Sequence, residues 1–541
     1  MSAEQPGTSK ESRFTTATLA ATAGLLIAHA ILAWLIREPG ITVRNDDALY
    51  LLLSRSLAGG HFNDAHLQGA PPHALYPPGF PATLLLLRGL VGERFDAFLA
   101  LNVCFSTVAL ALTFDLVRRY WSVSVGLLVL LPLVVNNSLV RYAGSLISEP
   151  AYLCFSALTL WLVLRGPVDR RTLTLATLSL IVAGLTRSVG VVLLAAMVGW
   201  LLLERRWRAA VVVGLVGGLC IGGWLLRTFL LPPEFRTIGR SYAEDVERMV
   251  ARGGGYWVYK RFKIGVLYAS VHLPLSLPFP GMVEGSPLGA AWGWVMASII
   301  PVGLVAMWRR RWRVVVLYIV GYVVLLAAWR MSSPRFLAVL LPLLVTALAV
   351  PFLGRFALRR PRLGWGIALV LMGMLTAGGL RGWWADWQQI RHCDRAHPLA
   401  GPGCFEPDAR SFFRLAREAG RVVPPDGVVL AAREATFAYY SGRQTWYLNT
   451  AFTPDSVHIL DGLLQRGVDY VLLGHTHTTE VKTLAPALAA DCRRLDLLLR
   501  EPPRSLLFRI RPPAEGEGDP AACIAIAAYR SDSTPVPRTR K

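Results

Sequence analysis

Phe14–Ile36 reads FTTATLAATAGLLIAHAILAWLI and holds no Lys, Arg, Asp or Glu; Lys10 and Arg13 stand just before it. A bilayer core needs roughly 20 apolar residues of helix, whereas the core of a signal peptide runs to about 7–15. No small-residue cleavage site leading into a soluble chain follows, so the stretch reads as a retained first span. Apolar stretches of the same kind recur at about 96–117, 122–140, 150–164, 172–186, 188–203, 209–230, 286–307, 313–330, 336–353 and 364–381. The expectation is a polytopic α-helical membrane protein of about eleven spans, several of them short.

The chain has 541 residues, 54% of them hydrophobic and 17% charged, with a formal net charge of +21. Soluble domains carry about a quarter charged residues. The basic residues cluster between apolar runs, as in Arg118-Arg119, Arg205-Arg206 and Arg309-Arg310-Arg311. That placement fits cytoplasmic loops and argues against a nucleic-acid partner. With the N-terminus inside, the inner loops hold Arg118/Arg119, Arg165/Arg170/Arg171, Arg205/Arg206/Arg208, Arg309–Arg313 and Arg355/Arg359/Arg360/Arg362. The outer turns hold chiefly Arg141, Arg187, Arg330 and Arg335. An odd span count then puts the C-terminus outside. Residues 79–92, with Arg88, and 264–283, with Pro274, Pro278 and Pro280, fit poorly as spans and read as interfacial or re-entrant helices.

The expected domains are a membrane part, 1–381, with a first outer loop at 37–95, and an extracytoplasmic α/β domain, 382–541. A further outer segment runs from about 231 to 263. In the tail, Ala409–Ala419 has helix period, while Val428–Ala432, Tyr470–Leu473 and Leu506–Ile510 are short apolar runs. Ser531–Lys541 is Pro- and Arg-rich and reads as disordered. Cys104, Cys154 and Cys220 fall in spans, whereas Cys393, Cys404, Cys492 and Cys523 fall in the outer domain, where disulfides form. Of three connectivities, Cys393–Cys404 with Cys492–Cys523 is preferred because each closes a short loop.

The first loop begins Arg44-Asn45-Asp46-Asp47-Ala48-Leu49-Tyr50. Asp46 sits where a helix N-cap would be, and Gly59-Gly60 supplies a stop. The bland reading is a cap with a dipole partner. Against it stand the outer-face motifs Tyr76-Pro77-Pro78-Gly79-Phe80-Pro81, Ser148-Glu149-Pro150, Thr186–Gly190, Trp224–Arg227 and Ser333–Phe336. Arginines at span ends are often snorkelling anchors, but several arginines and carboxylates on one face favour an anionic ligand.

On these residues the chain resembles the GT-C superfamily of integral membrane glycosyltransferases. Its pattern is similar to the protein O-mannosyltransferases and the lipid A aminoarabinose transferases. Asp46, Asp47 and Tyr50 match their first loop, followed by Ser54–Gly60; YPPGFP at 76–81 matches the loop exit, and TRSVG at 186–190 and PRFLAVLLPLL at 334–344 match later motifs. EATFAYYSGR at 434–443 and GVDYVL at 467–472 look like the family's soluble domain.

The resemblance implies an inverting transfer from a polyprenyl-phosphate-sugar donor to a glycan, lipid or protein acceptor at the outer face of a membrane. Arg-dominated basic usage suits a bacterial plasma membrane. It implies Asp46 as general base, with Asp47 and Glu149 as further acids, and Arg335, Arg187 and Arg227 on the donor phosphate. The aminoarabinose transferases carry Lys before the Pro-Pro pair. Here Tyr76 stands there, and Tyr76, His73 and Tyr50 are the first loop's candidates for the donor phosphate. No cofactor is implied: His61, His66 and His73 match no tight ligand spacing, which leaves a divalent metal as an open alternative. A transporter or flippase of anionic lipids is the competing reading. It would need access from both faces, commonly with internal repeats, and the polar residues gather at one face without a convincing repeat. A non-catalytic member with a receptor-like outer domain is a third.

Overall fold

The computed structural model describes residues 15–232, 254–283, 285–328, 333–353, 360–401, 403–448 and 459–531. Arg330, Arg355, Arg359, the expected disordered end beyond Ser531 and most of the outer segment at 231–263 lie outside these residues. The described residues fall into two compact units. One holds 15–37, 99–226 and 254–387; the other holds 38–98, 227–232 and 388–531. Packing thus joins the first outer loop to the C-terminal segment, where a division at residue 381 would separate them.

Within the described residues each expected apolar stretch is helical over most of its length. Among the described residues six helices are long and apolar enough to cross a membrane: Thr16–Leu35, Phe95–Tyr120, Trp207–Leu230, Pro287–Arg309, Pro334–Leu353 and Pro361–Ile390. A seventh is added if Val123–Val134 and Asn137–Ala143, bent by 65°, form one span. Glu149–Leu164, Arg170–Thr186, Gly190–Leu203 and Arg313–Ala328 are shorter. The chain is an integral membrane protein. Gly79–Val91 is a 13-residue helix that leaves Leu86 and Leu90 exposed. The 264–283 stretch ends a helix that passes through a π turn at Tyr268–His272 and stops at Ser276, before Pro278.

Within the helical unit the turns that bear Arg206, Arg310 and Arg313 meet at one end. Arg310 donates to the Tyr120 carbonyl (3.4 Å), Tyr120 to Leu164 (2.8 Å), Arg206 to Val168 (2.6 Å), and Arg313 to Glu204 (3.2 Å). Trp121 and Trp312 stack edge-on at that end. At the opposite end Trp383 donates to the Leu32 carbonyl (3.1 Å) and stacks on Trp387, and Arg37 covers Trp34. Such aromatic belts suit the two membrane–water interfaces. Lipid offers helices no hydrophobic drive to associate, so close backbone approach must supply contact. Gly303 provides it, because a Cβ there would fall on the Ala347 carbonyl of the deeply buried Pro334–Leu353 helix.

In the other unit five strands, β1 (Val428–Ala431), β2 (Gln444–Tyr447), β3 (Tyr470–Leu473), β4 (Leu495–Glu501) and β5 (Ser505–Ile510), lie in the order β2-β1-β3-β5-β4. β1 pairs parallel with β2 and β3, and β5 runs antiparallel to β3 and β4. Central strands are covered on both faces. Val428 and Leu430 join one core with Leu460 and Phe508; Val429 and Ala431 join another with Phe412 and Phe413. The helix Pro407–Val422 fits that second face because Ala409, Phe412, Phe413, Ala416 and Ala419 recur at helical spacing. The first loop extends the sheet beyond β2: Thr445 N–H donates to His66 O (2.8 Å) and Gln68 N–H to Thr445 O (3.1 Å). Disulfides join Cys393 to Cys404 and Cys492 to Cys523, the preferred pairing.

Replacing Gly303 by Val should force its helix off Ala347 and cost about 1–3 kcal/mol, as core overpacking does. Gly366→Val is the control, since nothing lies within 4 Å of a Cβ there. Thermal unfolding in one detergent should show a lower midpoint for Gly303→Val alone.

Candidate functional site

The helix Asp46–Ala58 presents the first-loop carboxylates. Its N-cap is Asn45, in the left-handed region at φ 76°, so Asp46 is the first helical residue and not the cap the sequence suggested. Asn45 makes no cap bond to its own helix because its side chain is spent on the C-terminal segment. Two acids in a first turn suit the helix dipole, and from there the two part. Asp47 is buried: its carboxylate accepts from Thr42 N–H (2.6 Å), Thr42 Oγ1 (2.8 Å) and Ala48 N–H (2.9 Å). Burial raises its pKa against the pull of Arg44 and these donors. Asp46 is half-buried and accepts from the Tyr76 phenol at 2.8 Å.

Tyr76 is seated by packing. Tyr50, one helical turn after Asp46 and buried, puts its ring centroid 4.9 Å from that of Tyr76 and 4.9 Å from that of Phe80. Tyr76 N–H donates to His73 Nε2 (2.8 Å), so His73 Nδ1 carries the proton that goes to Asp64 (2.7 Å). Both ring nitrogens of buried His73 are thereby used within the loop. Arg227 donates to the His73 carbonyl (2.8 Å). Tyr50 and His73 therefore act on the loop, and Tyr76 is the residue among them that reaches a candidate catalytic carboxylate.

The helical unit holds a second cluster. Glu149–Leu164 and Arg170–Thr186 form a hairpin, so Glu149 at the head of the first meets Arg187 at the foot of the second. Arg187 Nη1 lies 2.6 Å from Glu149 Oε1 and donates to Ser148 Oγ (3.1 Å). Arg335, in the 3₁₀ turn Pro334–Leu340, engages the same carboxylate with a fork: Nε on Oε1 and Nη2 on Oε2 (3.0 Å). Glu149 is 2% exposed. The two guanidiniums and the helix N-terminus compensate the charge of this buried carboxylate.

Of the loop histidines, His61 is exposed, His73 is committed, and His66 is buried, with Nδ1 lacking a partner among the described residues. No group of three or more His, Cys, Asp or Glu among the described residues is placed to hold a metal ion. Sequence reasoning missed Asp64, Asn45 and Glu434. Their partners lie elsewhere in the chain, and no local pattern announces them.

No protein-family model matches the sequence, and no curated protein sequence does either. Among solved structures the chain is similar to ArnT from Cupriavidus metallidurans in the apo state, at 14% identity and TM-score 0.58, over 91% of this chain and 98% of that one. It is similar at 14% identity and TM-score 0.55 to the same protein bound to undecaprenyl phosphate, over 91% and 97%. An archaeal oligosaccharyltransferase, AglB from Archaeoglobus fulgidus, with an inhibitory peptide and a dolichol-phosphate, matches at 10% identity and TM-score 0.52, over 86% and 71%. At these identities the likeness is one of fold: the chain shares the fold of these proteins.

Burial lowers the pKa of His66 from 6.5 to about 4. The unfolded chain then binds a proton near pH 6.5 that the folded chain refuses until about 4, so stability falls as pH drops through that window, by on the order of 3 kcal/mol. His66→Gln, which leaves the backbone pairing with Thr445 in place, should flatten the unfolding midpoint against pH between 6.5 and 4. An unchanged profile would assign the acid loss to other groups.

Proposed function

We propose that this chain is a membrane glycosyltransferase that moves a sugar from a polyprenyl-phosphate-linked donor to an acceptor at the outer face, inverting the anomeric carbon, with Asp46 as general base. One observation carries the reading. In a chain with this fold, Asp46 stands half-buried at a helix head under the Tyr76 phenol, while its neighbour Asp47 is buried and spent on the loop. The lipid phosphates held by ArnT and AglB support the donor class.

The acceptor hydroxyl gives its proton to the Asp46 carboxylate as its oxygen attacks the anomeric carbon from the side opposite the phosphate. The bond from that carbon to the phosphate oxygen breaks, and polyprenyl phosphate leaves with one more negative charge. Arg335 and Arg187 are the residues proposed first to meet that charge, and Arg227 is the lesser candidate. A planar fork suits phosphate better than a point charge does. Glu149 holds the two arginines in readiness, and Asp47, Tyr50 and His73 hold the loop. The eleven-span topology belongs to the same proposal, with the arginine-bearing turns inside, the C-terminal domain extracytoplasmic and a bacterial plasma membrane as the setting.

Transfer by folded variants from a saturating lipid donor tests the base. Asp46→Asn should lose about 10²–10⁴-fold in turnover, the usual worth of a general base. Asp47→Asn should act mainly through stability. Full turnover by Asp46→Asn would remove Asp46 from the chemistry. Arg335→Ala should weaken donor binding more than Arg335→Lys does, and equal wild-type affinities would return Arg335 to a structural role. A reporter fused after Gly382 should be active only when exported; cytoplasmic activity would overturn the topology.

A further inference from the structure

The segment just ahead of Asp46 is fastened to the C-terminal segment within one compact unit. Asn45 Nδ2 donates to Glu434 Oε1 at 3.0 Å, and Asn45 Oδ1 accepts the N–H of Thr436 at 3.0 Å. Thr436 Oγ1 donates to the Thr42 carbonyl (3.1 Å), and the Tyr440 phenol donates to the Ile41 carbonyl (3.1 Å). Glu434, Thr436 and Tyr440 all lie on the helix Glu434–Ser441, whose own N-cap, Arg433, makes no side-chain cap bond. Asn45 therefore supplies, from 391 residues away, an acceptor that this helix terminus lacks.

The place is not arbitrary. The chain leaves β1 through this helix to β2 on one side and returns to β3 on the other, so the helix opens at the carboxyl end of β1, where the strand order reverses. Open α/β sheets take ligands at that point. Here the first loop occupies it. The two Asn45 bonds also fix its amide, since only the NH₂ can donate to a carboxylate and only the oxygen can accept from an N–H. Asparagine tolerates the left-handed backbone that Asn45 adopts at φ 76°, ψ −28°. The very next residue is Asp46.

We infer that Asn45 is a positioning residue for Asp46, and that its lock against Glu434 and Thr436 sets the direction in which the Asp46 carboxylate leaves the loop. This rests on the reading of Asp46 as the base. A displacement of about 1 Å at such a group can cost about a hundredfold in rate without loss of substrate binding. The C-terminal segment thereby acts in turnover through the loop, without touching substrate.

The test uses full-length protein in nanodiscs and three variants, Asn45→Asp, Glu434→Gln and the two combined. Asn45→Asp sets two carboxylates against each other. Glu434→Gln keeps an acceptor for the amide. The double variant exchanges amide and carboxylate and restores a complementary pair. Two readouts are taken: hydrogen exchange over residues 41–50, and kcat with donor KM for transfer from a polyprenyl phosphosugar. Asn45→Asp is expected to quicken exchange and lower kcat about a hundredfold with donor KM unchanged; Glu434→Gln should stay near wild type, and the double variant should recover both readouts. Wild-type exchange and kcat in Asn45→Asp, or a double variant as loose and slow as Asn45→Asp, would overturn the inference and leave the transferase reading standing. Exchange that follows the predicted pattern in a wild-type protein that transfers no sugar would overturn both the reading and the positioning role, leaving Asn45 a purely structural lock.

Discussion

The buried carboxylate of Asp47 is the tie on which the first loop depends. It takes two donors from Thr42 and one from Ala48, and so closes residues 42–48 into a rigid turn at the head of a helix. Burying a charge this way is costly unless it is fully hydrogen-bonded, and here it is bonded on both oxygens. Because Asp47 is held, Asp46 one residue earlier has a defined direction. Because the same turn offers the carbonyls of Ile41 and Thr42 to Tyr440 and Thr436, it can be fastened to a helix nearly four hundred residues away. The two adjacent acids, alike in sequence, part in structure: Asp47 holds the loop, and half-buried Asp46 is the one proposed for the chemistry.

The Glu149 cluster follows a similar economy in the helical unit. A carboxylate at 2% exposure would be unstable alone; two guanidiniums and a helix N-terminus offset its desolvation. Removing one partner leaves the others uncompensated, so Arg187, Glu149 and Arg335 depend on one another as a set. The Arg335 fork occupied by Glu149 is also the geometry that binds phosphate bidentately.

Much of this was legible in the sequence. Every apolar stretch proved helical because lipid leaves a spanning backbone little choice but a helix. Ala409–Ala419 and three apolar runs gave a helix and three strands because period and length are local signals. β2, reading QTWY, and β4, reading LDLLLRE, escaped, since polar ends blur short strands. The spacing of Asp46 and Tyr50 is plain in the sequence, but not the contacts it serves: Tyr50 seats Tyr76, and Tyr76 donates to Asp46 across 30 residues. The cap was misassigned to Asp46 because Asn45 is diverted by Glu434 and Thr436, which no window around residue 45 contains. His73 looked like a ligand residue, yet Asp64 and the Tyr76 amide use both its nitrogens. Local patterns thus gave elements and candidate residues; partnerships across the chain decided their roles.

The proposed transfer severs a sugar from a lipid phosphate and passes it on. Its most direct measurement is incubation of the purified protein, in proteoliposomes, with a panel of polyprenyl phosphosugars and an acceptor extract, following free polyprenyl phosphate and the anomeric configuration of the product. Transfer should release polyprenyl phosphate from one donor, matched mole for mole by sugar joined to acceptor in the inverted configuration. Intact donor carried from one leaflet to the other with no phosphate released would contradict it and make the protein a transporter.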